Sequence, residues 1–123
     1  MTTTYTELKL DIQDSVATIT FDRPQARNSL GGAMREEFGE VVRDISKQAG
    51  DTISAVVLTG AGPAFCAGGD LNVLQEISAK GPDAMRARMQ ESHETLVQWL
   101  DLPIPTIAAV NGAAAGAGFS IAL

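Results

Sequence analysis

The chain has 123 residues, of which 45% are hydrophobic and 20% are charged. This length and composition fit one globular domain and argue against a disordered segment. Fifteen acidic residues against nine basic residues give a net charge of −6. That balance argues against nucleic acid and anionic membranes as partners, because both require a cationic protein surface. The single cysteine, Cys66, cannot form an internal disulfide, and the first residues carry no secretory signal. We therefore expect a cytoplasmic domain that handles a small molecule.

The first predicted elements are two strands and a helix. Leu8, Leu10 and Ile12 alternate with polar residues, which is typical of a half-buried strand. Asp14-Ser15 predicts a turn into a second strand at residues 16–21. Ser29 is the expected N-cap of a helix over about residues 30–47. Its apolar residues recur at helical spacing, at Leu30, Met34, Phe38, Val41, Val42 and Ile45.

The next segment predicts a repeated unit of strand, glycine-rich loop and helix. The apolar stretch at residues 53–58 predicts a strand buried on both faces, and Asp70 is the expected N-cap of a helix over residues 71–79. A further helix over residues 82–100 has an apolar side made of Met85, Met89, Leu96, Val97 and Leu100. A short buried strand at residues 106–110 then turns through Asn111-Gly112 into residues 113–123. This alternation predicts an α/β class with a parallel sheet.

Residues 102–123 carry no charged side chain. The prolines and glycines in this segment argue against a membrane span, and a buried strand followed by the start of a helix fits better. Because a soluble protein rarely ends on buried apolar residues, we expect the chain to be the front portion of a longer domain.

The two glycine-rich loops, one at residues 60–69 and one that includes Gly116-Ala117-Gly118, are candidates for one anion site. Small residues let a backbone approach a ligand closely, and the first turn of a helix leaves N–H groups without internal partners. Loops after neighbouring parallel strands could aim two N–H groups at one oxygen, which is the arrangement of an oxyanion hole. Tight turns alone would also explain the glycines. A dinucleotide site is weakly supported, because Phe65 and Ile121 occupy the third small position of the glycine motif.

Other chemistries have little support in the sequence. There is no G-x-S-x-G nucleophile motif, and no His, Cys and carboxylate set has metal-ligand spacing. His93 fits a surface or packing residue better than a general base, and Cys66 fits a small buried side chain better than a nucleophile. The acidic pair Glu36-Glu37 fits a solvated helix face.

Three motifs in the same order resemble those of the crotonase superfamily, the enoyl-CoA hydratases and isomerases. They are residues 23–30 (RPQARNSL), residues 64–71 (AFCAGGDL) and residues 110–118 (VNGAAAGAG). The resemblance implies an α/β, crotonase-like spiral of repeated ββα units that is incomplete in this chain. Residues 1–123 would be the N-terminal part of a single domain, about the first half of a typical member.

The resemblance also implies roles for individual residues. The N–H groups of Gly69 and Ala117 would form an oxyanion hole for the thioester carbonyl of an acyl-CoA and its enolate. Ala26, Arg27, Ala67, Asp70 and Leu71 match positions that line the CoA channel. Arg27 is the best candidate to meet a CoA phosphate, because a guanidinium binds phosphate through two hydrogen bonds. No metal or separate cofactor is implied, since coenzyme A is part of the substrate. Homo-trimers or hexamers are implied.

One departure from the family pattern concerns the base. Classical hydratases of this family use two glutamates, one of which handles the attacking water. At the position of that glutamate this chain has Ser120, which cannot act as a carboxylate base. We therefore expect proton transfer by a carboxylate later in the sequence, with isomerisation slightly favoured over hydration, as in ring-epoxide isomerases of aromatic acyl-CoA. The alternatives are a catalytically silent acyl-CoA-binding or assembly module of the same fold, and a partial chain with no activity of its own.

Overall fold

The structure, a computed structural model, describes residues 2–123 as seven strands and four α-helices. The strands are β1 (Thr2–Thr4), β2 (Leu8–Gln13), β3 (Val16–Phe21), β4 (Ala55–Gly60), β5 (Ala64–Cys66), β6 (Thr106–Ala108) and β7 (Ala113–Ala114). The helices are α1 (Met34–Gln48), α2 (Leu71–Ala79), α3 (Pro82–Leu100) and α4 (Ala117–Ala122), with a short 3-10 helix at Pro24–Ala26. The predicted α/β class is confirmed.

The main sheet has five strands in the order β1-β2-β3-β4-β6. Its first half is antiparallel and its second half is parallel, so the predicted parallel sheet is in fact mixed. The antiparallel half follows from the turn between β2 and β3. Asp14 and Ser15 both have positive φ, at 52° and 64°, and such a two-residue turn matches the twist of an antiparallel hairpin.

A second, two-stranded parallel sheet pairs β5 with β7, with Ala64 opposite Ala113 and Cys66 opposite Ala114. The pairing requires small residues at the contact. A Cβ on Gly112 would overlap the carbonyl oxygen of Pro63, and a Cβ on Gly118 would overlap that of Cys66. This small sheet brings the two glycine-rich loops next to each other.

The core lies between the main sheet and helices α1 and α3. Phe21 of β3 contacts Phe38 of α1 with ring centroids 5.4 Å apart, and Phe38 contacts Trp99 of α3 at 5.7 Å. Trp99 also donates its indole N–H to the carbonyl oxygen of Ile121 at 3.3 Å, so the core connects α3 to α4. Most of the predicted apolar face of α1 is fully buried, namely Met34, Phe38, Val41, Val42 and Ile45.

The predicted start of the first helix is wrong. Helix α1 begins at Met34 after Ala33, and Ser29 is not its N-cap. Leu30 instead forms an isolated parallel bridge with Gly69, so this stretch is extended against the first glycine-rich loop. The first N–H group of α1 finds an acceptor in the β1–β2 connection, where the Glu7 carboxylate accepts the Met34 N–H at 2.9 Å.

The acidic pair on this helix is also different from the prediction. Glu36 is exposed, but Glu37 is buried and accepts the backbone N–H groups of Thr6 and Glu7 at 2.8 and 2.9 Å. Its carboxylate therefore holds the β1–β2 connection against α1 rather than covering a solvated face.

Three predictions of burial also need correction. The strand predicted at residues 53–58 is β4 at Ala55–Gly60, and its burial alternates instead of being complete on both faces. The strand predicted at residues 106–110 is β6 at Thr106–Ala108, and it is not buried in residues 2–123, since Ile107 is 54% exposed. Helix α3 has the predicted span, but Met89, Val97 and Leu100 are exposed and Trp99 is the buried anchor.

Candidate active site

The first glycine-rich loop runs from β5 to α2. Ala67 donates its N–H to the Arg27 carbonyl oxygen at 3.0 Å, and the Gly68 carbonyl oxygen accepts the Leu30 N–H at 2.7 Å. Gly69 follows, and no acceptor for its N–H lies within the part of the chain that the structure describes. The two residues before Gly69 are thus fixed by backbone hydrogen bonds, while the Gly69 amide is available to bind a ligand.

Asp70 ends this loop as the predicted N-cap of α2, which is confirmed. Its carboxylate accepts the N–H groups of Asn72 and Val73 at 3.0 and 3.2 Å. It also pairs with the Arg23 guanidinium at 3.1 Å. The hydrogen bond from Val73, followed by that from Arg23, lowers the pKa of Asp70. The carboxylate therefore stays ionised and holds the start of α2 in place.

The second loop joins β7 to α4. Ala115 donates to the Cys66 carbonyl oxygen at 3.0 Å, and Gly116 has φ 54° and ψ −127°. Ala117 is the first residue of α4, and the N–H groups of the first helical turn have no acceptor within their own helix. As with Gly69, the described residues offer this N–H no acceptor.

The two loops meet at Gly68. A Cβ on Gly68 would lie 2.6 Å from the Ala115 carbonyl oxygen and 3.2 Å from the Ala117 nitrogen. The φ of Gly68 is +91°, a backbone conformation that residues other than glycine rarely adopt. Glycine is therefore required here, both for the backbone conformation and for the close approach that brings Gly69 and Ala117 near each other.

Gly69 and Ala117 line one cavity of about 310 Å³ between the loops, α1, α2 and α3. Much of its wall is apolar, from Leu30, Phe38, Leu74, Met89, Leu96 and Ile121. Ser120 lines it too, and its hydroxyl donates to the Gly116 carbonyl oxygen at 3.4 Å. Among residues 2–123, no carboxylate side chain lines this cavity. The arrangement offers two backbone donors to a ligand in an apolar chamber, which strengthens such hydrogen bonds.

Several cavity residues do not follow from the motifs. Arg35 comes from α1, and Arg88, Ser92, His93 and Thr95 come from α3. His93 is exposed and lines the cavity, so the prediction of a surface or packing residue rather than a general base stays a prediction. Arg88, Ser92 and Thr95 recur at helical spacing on α3, so that periodicity is the signal that could have identified this wall.

The residues assigned to the CoA channel do not line the cavity. Arg27 and Ala67 lie together through their backbone hydrogen bond, and Ala26 closes the 3-10 helix beside them. The Arg27 side chain is exposed and forms no ion pair with any described residue. Leu71 is 75% exposed at the start of α2. The structure thus brings Ala26, Arg27 and Ala67 together on the surface next to the loop that carries Gly69.

A buried polar network supports the first loop. The Asn28 side chain is fully buried, accepts the Arg23 N–H at 2.9 Å and donates to the carbonyl oxygens of Ala61 and Ala64 at 3.0 and 2.9 Å. Asn111 donates to the same Ala64 oxygen at 3.2 Å and accepts the Gly60 N–H at 3.0 Å. The asparagines of two motifs therefore position β5, from which the loop starts.

Cys66 is fully buried on β5, as predicted for a small packing residue. Burial raises the pKa of its thiol, and a hydrogen bond with the Gly68 backbone opposes this in part. The thiol is therefore protonated and unreactive in the folded chain. The described residues contain no cluster of three His, Cys, Asp or Glu side chains that could hold a metal ion. None of the helices formed by residues 2–123 is long and apolar enough to cross a membrane.

Solved structures define the class of fold. The structure of an enoyl-CoA hydratase/isomerase from Xanthobacter autotrophicus Py2 superimposes with a TM-score of 0.86 at 31% identity. The match covers 96% of this chain and 43% of that chain. The fold is therefore that of the crotonase superfamily, and the predicted fold class is confirmed.

The sequence relatives agree with this class. The family model described as enoyl-CoA hydratase/isomerase matches residues 11–123. A probable enoyl-CoA hydratase of Rhodobacter capsulatus is 40% identical over 97% of this chain and 44% of its own length. The 1,2-epoxyphenylacetyl-CoA isomerase of Escherichia coli K12 is 39% identical over 91% of this chain and 42% of its own length. The chain belongs to the enoyl-CoA hydratase/isomerase family, and it spans less than half the length of these relatives.

Proposed function

We propose that the protein acts on acyl-CoA thioesters by stabilising a thioester enolate between the N–H groups of Gly69 and Ala117. The observation that carries this proposal is that both amides lack an acceptor within residues 2–123 and line one apolar cavity. Two donors organised in advance stabilise the negative charge that develops on the carbonyl oxygen when a proton leaves the neighbouring carbon.

Coenzyme A itself would lie outside the cavity, along Ala26, Arg27, Ala67, Asp70 and Leu71. The exposed Arg27 guanidinium, which pairs with no carboxylate among residues 2–123, is the proposed contact of a CoA phosphate, and it supplies a local positive charge on an acidic protein. We propose no metal and no cofactor other than the coenzyme A of the substrate. A cytoplasmic homo-trimer or hexamer is part of the same proposal.

Isomerisation is slightly favoured over hydration. Hydration in the two-glutamate manner needs a carboxylate at the position of Ser120, and a serine hydroxyl is no base at neutral pH. Since none of the cavity side chains of residues 2–123 is a carboxylate, a carboxylate outside these residues would transfer the proton. The name of the Escherichia coli relative, an isomerase of an epoxyphenylacetyl-CoA, supports this preference, while the name of the Rhodobacter capsulatus relative supports hydration.

The test uses the full-length protein and a saturated acyl-CoA. Exchange of the proton next to the thioester carbonyl with deuterium from the solvent, followed by NMR, reports enolate formation whatever the final product. Gly69→Pro removes the N–H and should slow exchange by about 100-fold or more. Gly69→Ala is the matched control, because it keeps the N–H and its Cβ meets only the flexible end of Leu74, at 3.1 Å.

The alternative function is a silent acyl-CoA-binding or assembly module. It is favoured by the absence of a carboxylate from the part of the cavity that residues 2–123 form. Such a module would bind the thioester and give no exchange above the uncatalysed rate, and Gly69→Pro would then change affinity alone. Equal exchange by the wild-type protein and Gly69→Pro, at a rate above the uncatalysed one, would refute the oxyanion role itself.

A further inference from the structure

Arg88 is a charged residue in the wall of an otherwise largely apolar cavity. It lies on α3, is half-buried and lines the cavity together with Gly69 and Ala117. Its guanidinium donates one long hydrogen bond, 3.4 Å, to the carbonyl oxygen of Leu30. No carboxylate in residues 2–123 lies within ion-pair distance of it. A guanidinium keeps its charge at neutral pH, and a partly buried charge requires a partner of opposite sign, which residues 2–123 do not supply to Arg88.

The contact with Leu30 places Arg88 close to the proposed oxyanion site. Leu30 forms a parallel bridge with Gly69 and donates its N–H to the Gly68 carbonyl oxygen at 2.7 Å. Residues bridged in this way have backbones roughly 4.8 Å apart. The guanidinium is therefore one hydrogen bond from Leu30, the residue that lies beside Gly69, and it lines the same cavity as Gly69 and Ala117.

Arg35 brings a second guanidinium to the same cavity. Its terminal nitrogens pair with Glu36 at 2.7 Å and with Glu91 at 3.1 Å, and both of these carboxylates are exposed. The Nε of Arg35 is buried and has no hydrogen-bond partner among the described residues. Burial lowers the pKa of Arg88, and the positive charge of Arg35 lowers it further, while Glu36 and Glu91 raise it. Both carboxylates pair with Arg35, so no carboxylate among residues 2–123 pairs with Arg88.

We infer that Arg88, next to Arg35, binds a carboxylate on the acyl group, so that the preferred substrate is the monothioester of a short dicarboxylic acid. This inference rests on the proposed function, because it places the thioester carbonyl between Gly69 and Ala117. The planar guanidinium can donate two parallel hydrogen bonds to a carboxylate, and the apolar wall strengthens that pair.

The test compares two acyl groups of the same shape. One is glutaryl, and the other is its isostere with an isopropyl group in place of the carboxylate. Binding of both as CoA thioesters to the full-length protein is measured by calorimetry. It is measured again with pantetheine thioesters, which lack every phosphate. The wild-type protein should bind the glutaryl form more tightly in both series.

Substitution then assigns the preference to one side chain. Arg88→Met should weaken glutaryl binding by on the order of 30-fold and leave the isostere unchanged. Arg88→Lys should lose part of the preference, because it keeps the charge but not the two-pronged geometry. Arg86→Met is the matched control, since Arg86 is exposed on the same helix, pairs with Asp83 and does not line the cavity. It should keep the full preference.

The outcomes separate this inference from the proposed function. If the wild-type protein binds the isostere as tightly as glutaryl, the inference is wrong while acyl-thioester binding stands. If Arg88→Met weakens both CoA thioesters equally and neither pantetheine thioester, Arg88 binds a CoA phosphate and the inference is again wrong. If no thioester binds in either series, the proposed function fails as well.

Discussion

Ala117→Pro is the sharpest test of the second oxyanion donor. Ala117 is the first residue of α4, and its N–H has no acceptor in residues 2–123. Proline fits the first position of a helix because the missing N–H is not used there. The preceding Gly116 has φ 54° and ψ −127°, outside the helical conformation that a following proline disfavours. The substitution therefore removes one hydrogen-bond donor and leaves the fold intact.

The expected magnitude follows from the number of donors. Loss of one of two oxyanion donors raises the activation barrier by about 2.7–4 kcal/mol, which lowers kcat by about 100- to 1,000-fold. The Gly69 N–H remains, so some catalysis above the uncatalysed rate should persist. The KM should change much less than kcat, because the donors stabilise the enolate more strongly than the uncharged thioester carbonyl.

The assay is deuterium exchange at the carbon next to the thioester carbonyl, with thermal unfolding as the check on the fold. Ala117→Gly is the matched control, because it retains the N–H and costs about 0.5–1 kcal/mol in helix stability at most. An exchange rate for Ala117→Pro within about threefold of wild type, with thermal unfolding unchanged, would contradict the increase in activation barrier assigned to loss of the Ala117 N–H. So would an equal loss in Ala117→Gly.

Three further substitutions test the support of the site. Asn28→Ala should lower the free energy of unfolding by about 2–4 kcal/mol in urea titration, because it leaves buried partners at Arg23, Ala61 and Ala64 unsatisfied; a loss below about 0.5 kcal/mol would contradict that role. Asp70→Asn should destabilise the protein above about pH 4. Since the folded pKa of Asp70 lies below its unfolded value, its contribution is lost as the pH falls through the folded pKa, and the wild-type and mutant melting temperatures should converge there. A gap that is constant with pH would refute this linkage. His93→Gln should keep kcat within about twofold, with an unchanged pH profile, because proton transfer is assigned to a carboxylate. A loss of kcat by about 100-fold or more would instead make His93 the acid or base.

Local signals in the sequence were sufficient for several elements. The hairpin at Asp14-Ser15 and the cap of α2 at Asp70 both form as predicted, because the hydrogen bonds that define them join residues only a few positions apart. Buried strands followed by small residues likewise predicted two loops with free amides. The start of α1 was beyond such reasoning, since Leu30 pairs with Gly69 and the helix start is capped by Glu7 from the distant β1–β2 connection.

The sequence by itself determined the α/β class and the two glycine-rich loops, and its resemblance to the crotonase superfamily named the two candidate donors. Only the tertiary structure decided that Gly69 and Ala117 share one cavity and that Arg35 and Arg88 join them there. The physical reason is the range of the interactions. A turn or a cap depends on neighbouring residues, whereas the wall of a cavity depends on how α1 and α3 pack around Phe38 and Trp99, and no local pattern records that contact.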